Sequence, residues 1–311
     1  MASKNRRQFL KDSTLLVGAL GLASVPAAVA ASRTQNPKPK IVRKTINLWA
    51  DKSPNNQVHE KFGRPRLELY IPEGTATQKR AAIVVCPGGG YRNLAPHEGQ
   101  PLAELFAAQG IVGAVLTYHI SPEKHTLPYA DACRAIRLLR NQAAELNIDA
   151  TRVGIMGFSA GGHLAATVAT QPELFKDPQD NLAGKVSARP DRVILGYPVI
   201  SFQEFAHKGS AEALLGKNAD EKLLQQFSND QQVTAQNPPA FLFHTADDAG
   251  VPVENSLRFA AACSKHKVPF ALHVYPHGRH GVGMALDNPA LKSWTTLLVD
   301  WLAEWSLPQK G

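Results

Sequence analysis

The run Val153-Gly154-Ile155-Met156-Gly157-Phe158-Ser159-Ala160-Gly161-Gly162-His163-Leu164-Ala165-Ala166-Thr167-Val168-Ala169 changes character at its middle. An apolar segment suited to a buried strand leads into Gly-x-Ser-x-Gly, and a small-residue segment suited to a helix, Gly162 to Ala169, leads out. A sharp strand-to-helix turn of this kind lifts a serine above the end of a sheet, and the flanking glycines remove side chains that would collide there. The pentapeptide alone is a weak signal, so its position between strand and helix decides. A serine that merely capped a helix would not need glycine on both sides. Ser159 is therefore the candidate nucleophile.

Outward from this turn, short β-branched or apolar runs alternate with longer segments of helical periodicity, the pattern of an α/β protein with a mostly parallel sheet. The predicted strands are Ile41 to Trp49, Leu67 to Ile71, Ala81 to Cys86, Val112 to Tyr118, Val153 to Phe158, Val193 to Tyr197, Ala240 to Phe243 and Phe270 to Tyr275. The first two carry the polar alternation of an antiparallel edge, whereas Ala81 to Val85 and Val193 to Leu195 read as strands buried on both faces. Helices are expected over Pro128 to Leu146, with Ala132, Ile136, Leu139 and Ala143 on one face and Arg134, Arg137 and Arg140 on others, and over Ser256 to Lys267 and Leu291 to Trp305. Residues 198–238 are long for a connection in such a sheet and carry helical patches at Ala211 to Leu215 and Asp220 to Phe227; they read as a small cap-like insertion. No internal repeat and no linker-like stretch follows residue 40, so 31–311 reads as one domain.

A serine hydroxyl needs a base within hydrogen-bond reach and a carboxylate to orient that base. In a serine hydrolase built around this turn, the acid follows the serine in the chain and the histidine comes last. The loop after Ala240 to Phe243 offers Asp247 and Asp248. Asp248 is preferred because it opens the Asp-x-x-Val-Pro run into the next helix, while Asp247 suits a turn residue bonding its own backbone. The loop after Phe270 to Tyr275 offers His277 and His280. His280, standing farther out before Gly-x-Gly, is preferred, with His277 supporting the loop. His273 within a strand and His266 within a helix read as structural.

Acyl transfer also needs two N–H donors for the developing oxyanion. Pro87-Gly88-Gly89-Gly90-Tyr91 follows a strand, so Gly89 or Gly90 would give one donor and Ala160 the other, with Tyr91 beside the substrate. No Gly-Lys-Ser/Thr or Gly-x-Gly-x-x-Gly pattern supports a phosphate loop instead. His277 and His280 are close in sequence, but no third metal ligand, His-Glu-x-x-His or paired cysteine motif accompanies them, so neither a metal nor a cofactor is expected.

Taken together, Pro87 to Tyr91, His97-Glu98-Gly99, Asp131-Ala-Cys-Arg-Ala-Ile-Arg137, Gly157 to His163, Asp248-Ala-Gly-Val-Pro-Val-Glu-Asn-Ser256 and His280 to Gly283 resemble the acetyl xylan esterase-like branch of the α/β-hydrolases. The likeness runs from about Leu67 to the end. It implies an α/β-hydrolase fold of eight mostly parallel strands and a serine esterase acting on O-acetyl groups of plant or algal polysaccharides or the oligosaccharides released from them. The chain departs from the pattern at Tyr118-His119, where relatives usually carry Tyr-Arg, and 198–238 has no clear counterpart. A broad carboxylesterase is the nearest rival. A peptidase of this fold usually adds a large domain for which no length remains, and a binding protein that had lost catalysis would lack a triad residue.

The amino terminus has its own order: Asn5 to Lys11 with paired Arg6 and Arg7, an apolar run from Leu15 to Val25, then Ala28-Val29-Ala30. That is a signal peptide over 1–30, of twin-arginine type, and it predicts a periplasmic or secreted enzyme without a stable membrane anchor. The apolar run is too short to span a bilayer. The formal charge of +8 falls to about +5 when four cations and one anion leave with it, and the remaining Lys and Arg are scattered, so no nucleic-acid partner is indicated. Cys86, Cys133 and Cys263 allow at most one bridge.

Overall fold

A computed structural model describes residues 40–74, 78–123 and 125–306; the expected signal peptide, 1–30, lies outside the described residues. The strands are β1 (Ile41–Asn47), β2 (Arg66–Pro72), β3 (Arg80–Cys86), β4 (Val112–Thr117), β5 (Ile148–Phe158), β6 (Val193–Gly196), β7 (Ala240–Thr245) and β8 (Phe270–Tyr275). They form one sheet in the order β1-β2-β4-β3-β5-β6-β7-β8. β1 and β2 pair antiparallel, β2 pairs antiparallel with β4, and every later pairing is parallel. The chain thus has the α/β-hydrolase sheet that its sequence implies.

Side chains alternate across the pleat, and each face meets its own helices. Ala82 and Val84 of β3, Ile155 of β5 and Leu242 of β7 join the core under α2 (Thr126–Asn141), α3 (Ser159–Thr170) and α6 (Glu254–Lys265). Ile83, Val85, Met156 and Phe243 point the other way, against α1 (Gln100–Ala108) and α7 (Pro289–Ser306). There the Trp294 ring stacks on Phe243 with centroids 3.9 Å apart. Burial on both faces explains why β3 and β6 read as unbroken apolar runs.

Differences from the expected boundaries have local causes. α2 ends at Asn141 rather than Leu146: Leu146 N–H turns back to Gln142 O, Ile148 N–H to Ala143 O, and Asn147 takes φ +51. That reversal delivers the chain into β5 at Ile148, while Leu146 stays in the core. α1, with Leu102, Ala103, Phe106 and Ala107 buried at helical spacing, is an element the sequence reading did not single out. All three cysteines are buried and free. Burial pushes the Cys133 and Cys263 thiols up to about 12. Among the described residues no helix is long and apolar enough to cross a membrane.

The arginines of α2, off the apolar face, find acidic partners in a later connection. Arg134 and Arg137 each donate to buried Asp180, at 2.6 and 2.7 Å, and Arg140 donates to Asp191 at 2.8 Å. Asp180 therefore pins the 171–192 connection to α2. Asp180→Ala would leave two buried guanidinium groups short of their counter-charge, and is expected to cost about 3–5 kcal/mol of unfolding free energy in a urea titration. A loss below about 1 kcal/mol would show that water replaces the carboxylate freely.

Candidate active site

At the end of β5, Phe158 is still extended (φ −119, ψ 140) and Ser159 turns to φ +52. A non-glycine residue held in the left-handed region is strained, so the surroundings must enforce it. They do so by contact. A side chain on Gly157 would begin 2.0 Å from Gly161 O, and one on Gly161 would begin 2.2 Å from Cys86 O. α3 thus starts against the bare backbone of β3 and β5, which leaves Ser159 projecting from the crest of the turn.

Ser159 Oγ lies 2.8 Å from His280 Nε2, and His280 Nδ1 lies 2.7 Å from Asp248 Oδ2. Asp248 Oδ1 accepts from the N–H groups of Gly250 and Val251 at 2.8 and 2.9 Å, and His244 Nε2 stands 3.5 Å from Oδ2. Burial by itself would raise the Asp248 pKa, but hydrogen bonds from His244, His280 and Val251 outweigh it and hold the carboxyl well below the usual carboxylate range. An ionised Asp248 can only accept, so Nδ1 carries the imidazole proton and Nε2 is free to accept from the serine hydroxyl. His280 is held in place by close neighbours: a side chain on Gly250 would begin 2.9 Å from its Cβ, and the Tyr197 ring meets it edge-on at 5.1 Å.

The two rival residues pair with each other instead. Asp247 Oδ2 accepts from exposed His277 Nδ1 at 2.9 Å, and Oδ1 accepts from Gly278 N–H at 2.8 Å. Asp247 therefore braces the neighbouring loop as well as bonding its own backbone.

Gly89 and Gly90 follow β3 with φ +134 and +64, and among the described residues neither N–H has an acceptor. Ala160 N–H lies in the first turn of α3, where a helix offers no acceptor. These free donors flank the serine turn: a side chain on the preceding Gly88 would begin 2.9 Å from Ser159 Cβ. Tyr91 was expected at the substrate, and here the expectation is corrected. Its ring is 1% exposed and its hydroxyl donates to His163 Nδ1 at 2.9 Å, because its left-handed backbone (φ +57) turns the side chain into the core. Burial pushes His163 down to about 4, so it is neutral and its Nε2–H donates to Phe227 O at 2.8 Å.

Several supporting residues had no assigned role in the sequence. Buried Glu98 accepts from Gly88 N–H at 2.8 Å and from Tyr197 O–H at 2.6 Å, and Tyr197 Oη accepts from Gly283 N–H at 2.9 Å. One carboxylate thereby ties the glycine loop to the loop that carries His280. The signal for Glu98 was a charge within a motif flanking the glycines; nothing local marks Tyr197 or His244. Residues 198–238 contain α4 (Lys208–Leu215) and α5 (Glu221–Gln226). α4 begins at the glycine loop, where Arg92 donates to Gly209 O at 2.8 Å. A side chain on Gly90 would begin 3.9 Å from Ser210 Oγ. His207 Nδ1 accepts from Ser210 N–H, and burial followed by the charge of His280 lowers its pKa.

A serine, a correctly oriented imidazole and a cluster of free N–H donors at the C-terminal edge of a parallel sheet define an α/β-hydrolase equipped for attack on a carbonyl. Residues 67–263 match the family model described as BD-FAE, and the chain belongs to that family of α/β-hydrolases. The matched span includes Ser159 and Asp248 but stops before His280, whose position rests on the geometry above.

Three relatives place the chain further. It is 39% identical to endo-1,4-beta-xylanase B of Butyrivibrio fibrisolvens over 81% of this chain and 40% of that protein. It is 35% identical to an acetylxylan esterase of Xylanibacter ruminicola over 71% of this chain and 44% of that protein. The chain thus spans less than half the length of these curated relatives. The crystal structure of an acetyl ester-xyloside bifunctional hydrolase from Caldicellulosiruptor lactoaceticus superposes with a TM-score of 0.78 at 44% identity, covering 88% of this chain and 98% of that one.

Because the folded pKa of Asp248 is depressed, the stability it contributes is present above its unfolded value, about 4, and is lost as pH falls toward the folded value. The gap in unfolding free energy between wild type and Asp248→Asn is therefore expected to narrow steadily from pH 5 to pH 2 in denaturant titrations. A gap independent of pH would mean that Asp248 is not ionised in the folded protein.

Proposed function

We propose that this chain is a serine esterase that removes short acyl groups, acetyl first among them, from xylan-type polysaccharides or their oligosaccharides. The observation that carries the reading is the unbroken contact from Ser159 Oγ through His280 to Asp248. The substrate class is supported by the acetylxylan esterase and the acetyl ester-xyloside hydrolase among its relatives.

The chemistry is acyl transfer in two halves. Ser159 attacks the ester carbonyl while His280 Nε2 takes its proton, and Asp248 keeps the imidazole in the required tautomer and offsets the charge it gains. The carbonyl oxygen, now negative, is received by Ala160 N–H and by Gly89 or Gly90 N–H. His280 returns its proton to the sugar oxygen as the alcohol leaves. Water, deprotonated by the same imidazole, then attacks the acyl carbon, and the imidazole returns that proton to Ser159 Oγ as acetate leaves. Each step uses groups of the chain and water, so no cofactor enters.

Residues acting as one unit are not additive. Ser159→Ala and His280→Ala are therefore expected to reduce turnover of 4-nitrophenyl acetate to a common floor, with the double variant no lower. Asp248→Asn should lose roughly four orders of magnitude, whereas Asp247→Asn and His277→Ala keep most of the rate. If His277→Ala rather than His280→Ala matched the serine variant, the assigned base would be wrong.

The reading includes export. The twin-arginine run and the Ala28-Val29-Ala30 site support removal of residues 1–30 and release of the enzyme outside the cytoplasm, where a polymeric substrate is met. Amino-terminal sequencing from the native host is expected to find a chain starting near Ala31. An intact Met1 in the cytoplasmic fraction would contradict it.

A further inference from the structure

A cleft of about 250 Å³ opens at the end of β4, and its walls include Gln57, His59, Glu60, Phe62, His119 and Glu123. Its floor is a histidine that is fixed on one side only. His119 is 7% exposed, its Nδ1 lies 2.6 Å from Asp131 Oδ2, and its own backbone N–H donates to the same oxygen at 2.8 Å. Asp131 is fully buried and accepts from Trp49 Nε1 at 2.7 Å, so the carboxylate is itself immobile. On the opposite edge of the ring, His119 Nε2 is buried without a partner among the described residues. Leaving such an atom unpaired is costly, and a small shift of the lining side chains that opened it to the cleft would let an entering group pair with it.

The position of the cleft is set by topology. Thr117 ends β4 and pairs with Arg66 at the start of β2. Thr117, Tyr118 and His119 therefore lie on the carboxyl edge of the parallel strands, the edge that also carries Ser159. β4 stands two strands from β5 in the sheet, about 10 Å at the spacing of paired strands. Between the two lies the glycine loop, tied to the cleft side by two bonds: Tyr118 O–H donates to Pro87 O at 2.6 Å, and Lys61 Nζ donates to Asn93 Oδ1 at 2.8 Å. The separation is of the order of two linked sugar rings.

We propose that this cleft is a distal sugar subsite, holding one neutral pyranose of an oligosaccharide whose acylated unit lies at Ser159. The inference rests on the carbohydrate esterase reading above. A hydroxyl suits His119 in either protonation state, since a neutral ring with Nδ1–H on Asp131 presents an acceptor at Nε2 and a charged ring presents a donor. Gln57, Glu60 and Glu123 supply further hydroxyl partners. The Phe62 and His59 rings, 5.2 Å apart, offer apolar faces to sugar C–H groups. The two carboxylates disfavour an acidic sugar, and among the described residues no group of three His, Cys, Asp or Glu is arranged to hold a metal ion.

The test uses the full chain carrying Ser159→Ala, titrated calorimetrically with unacetylated xylohexaose and xylobiose. Xylohexaose is expected to bind and xylobiose to bind far more weakly. Adding Gln57→Ala and Glu123→Ala at the cleft walls should weaken xylohexaose by about tenfold or more, the effect of losing hydrogen bonds to the ligand. His119→Phe should do the same; because it strips Asp131 of a partner, its melting temperature is recorded and the wall variant decides. Absence of xylohexaose binding, or binding indifferent to the wall changes, overturns the subsite even if the wild type hydrolyses 4-nitrophenyl acetate. Wall-dependent binding in a protein that hydrolyses no ester would instead overturn the esterase reading and leave the subsite standing.

Discussion

The left-handed turn at Ser159 depends on bare backbone meeting bare backbone at Gly157, Gly161 and the end of β3. A Cβ on Gly157 would begin 2.0 Å from Gly161 O and one on Gly161 would begin 2.2 Å from Cys86 O, so either would force α3 away from the strand ends. The strain in the serine is thus balanced by packing of the central strands, which pair in register from Ala82 with Val153 to Cys86 with Gly157. Everything chemical at the site follows from that register. It sets Ser159 beside the glycine loop after β3, and the parallel order of β5 to β8 brings Asp248 and His280 to the same edge.

A second layer of contacts converts proximity into orientation. Glu98 joins Gly88 to Tyr197, and Tyr197 joins Gly283, so the glycine loop and the histidine loop share one buried carboxylate. Tyr91, His163 and Phe227 form a parallel line through α3 to the segment between β6 and β7. Groups held this way need little rearrangement when charge develops on a bound carbonyl, which is where electrostatic stabilisation is most effective. The segment 198–238 is fastened to that framework, with α4 starting against the glycine loop.

Much of this was legible in the chain because it is written locally. The apolar runs at β3 and β6 and the Gly-x-Ser-x-Gly turn depend on nearest neighbours, and the strand boundaries fell within a few residues, β5 excepted. The positions of Asp248 and His280 near Ser159 were also readable, since each sits at a fixed place relative to its strand end. What was not readable depends on long-range pairing. Tyr91 looked like a substrate contact until its left-handed backbone turned the ring inward. The partner of Arg134 and Arg137, Asp180, lies more than forty residues away and could not be named from the helix alone. Glu98 and Tyr197, 99 residues apart, have no meaning to each other before the sheet is assembled.

The central claim is that Ser159 becomes the acyl carrier, and it is tested most directly by trapping that state. Rapid acid quenching of the enzyme during turnover of 4-nitrophenyl acetate, followed by peptide mass spectrometry, should place a single acetyl group on Ser159, with none trapped when Ser159 is replaced by Ala. Acetyl groups on another residue, or undiminished turnover after Ser159→Ala, would contradict the account.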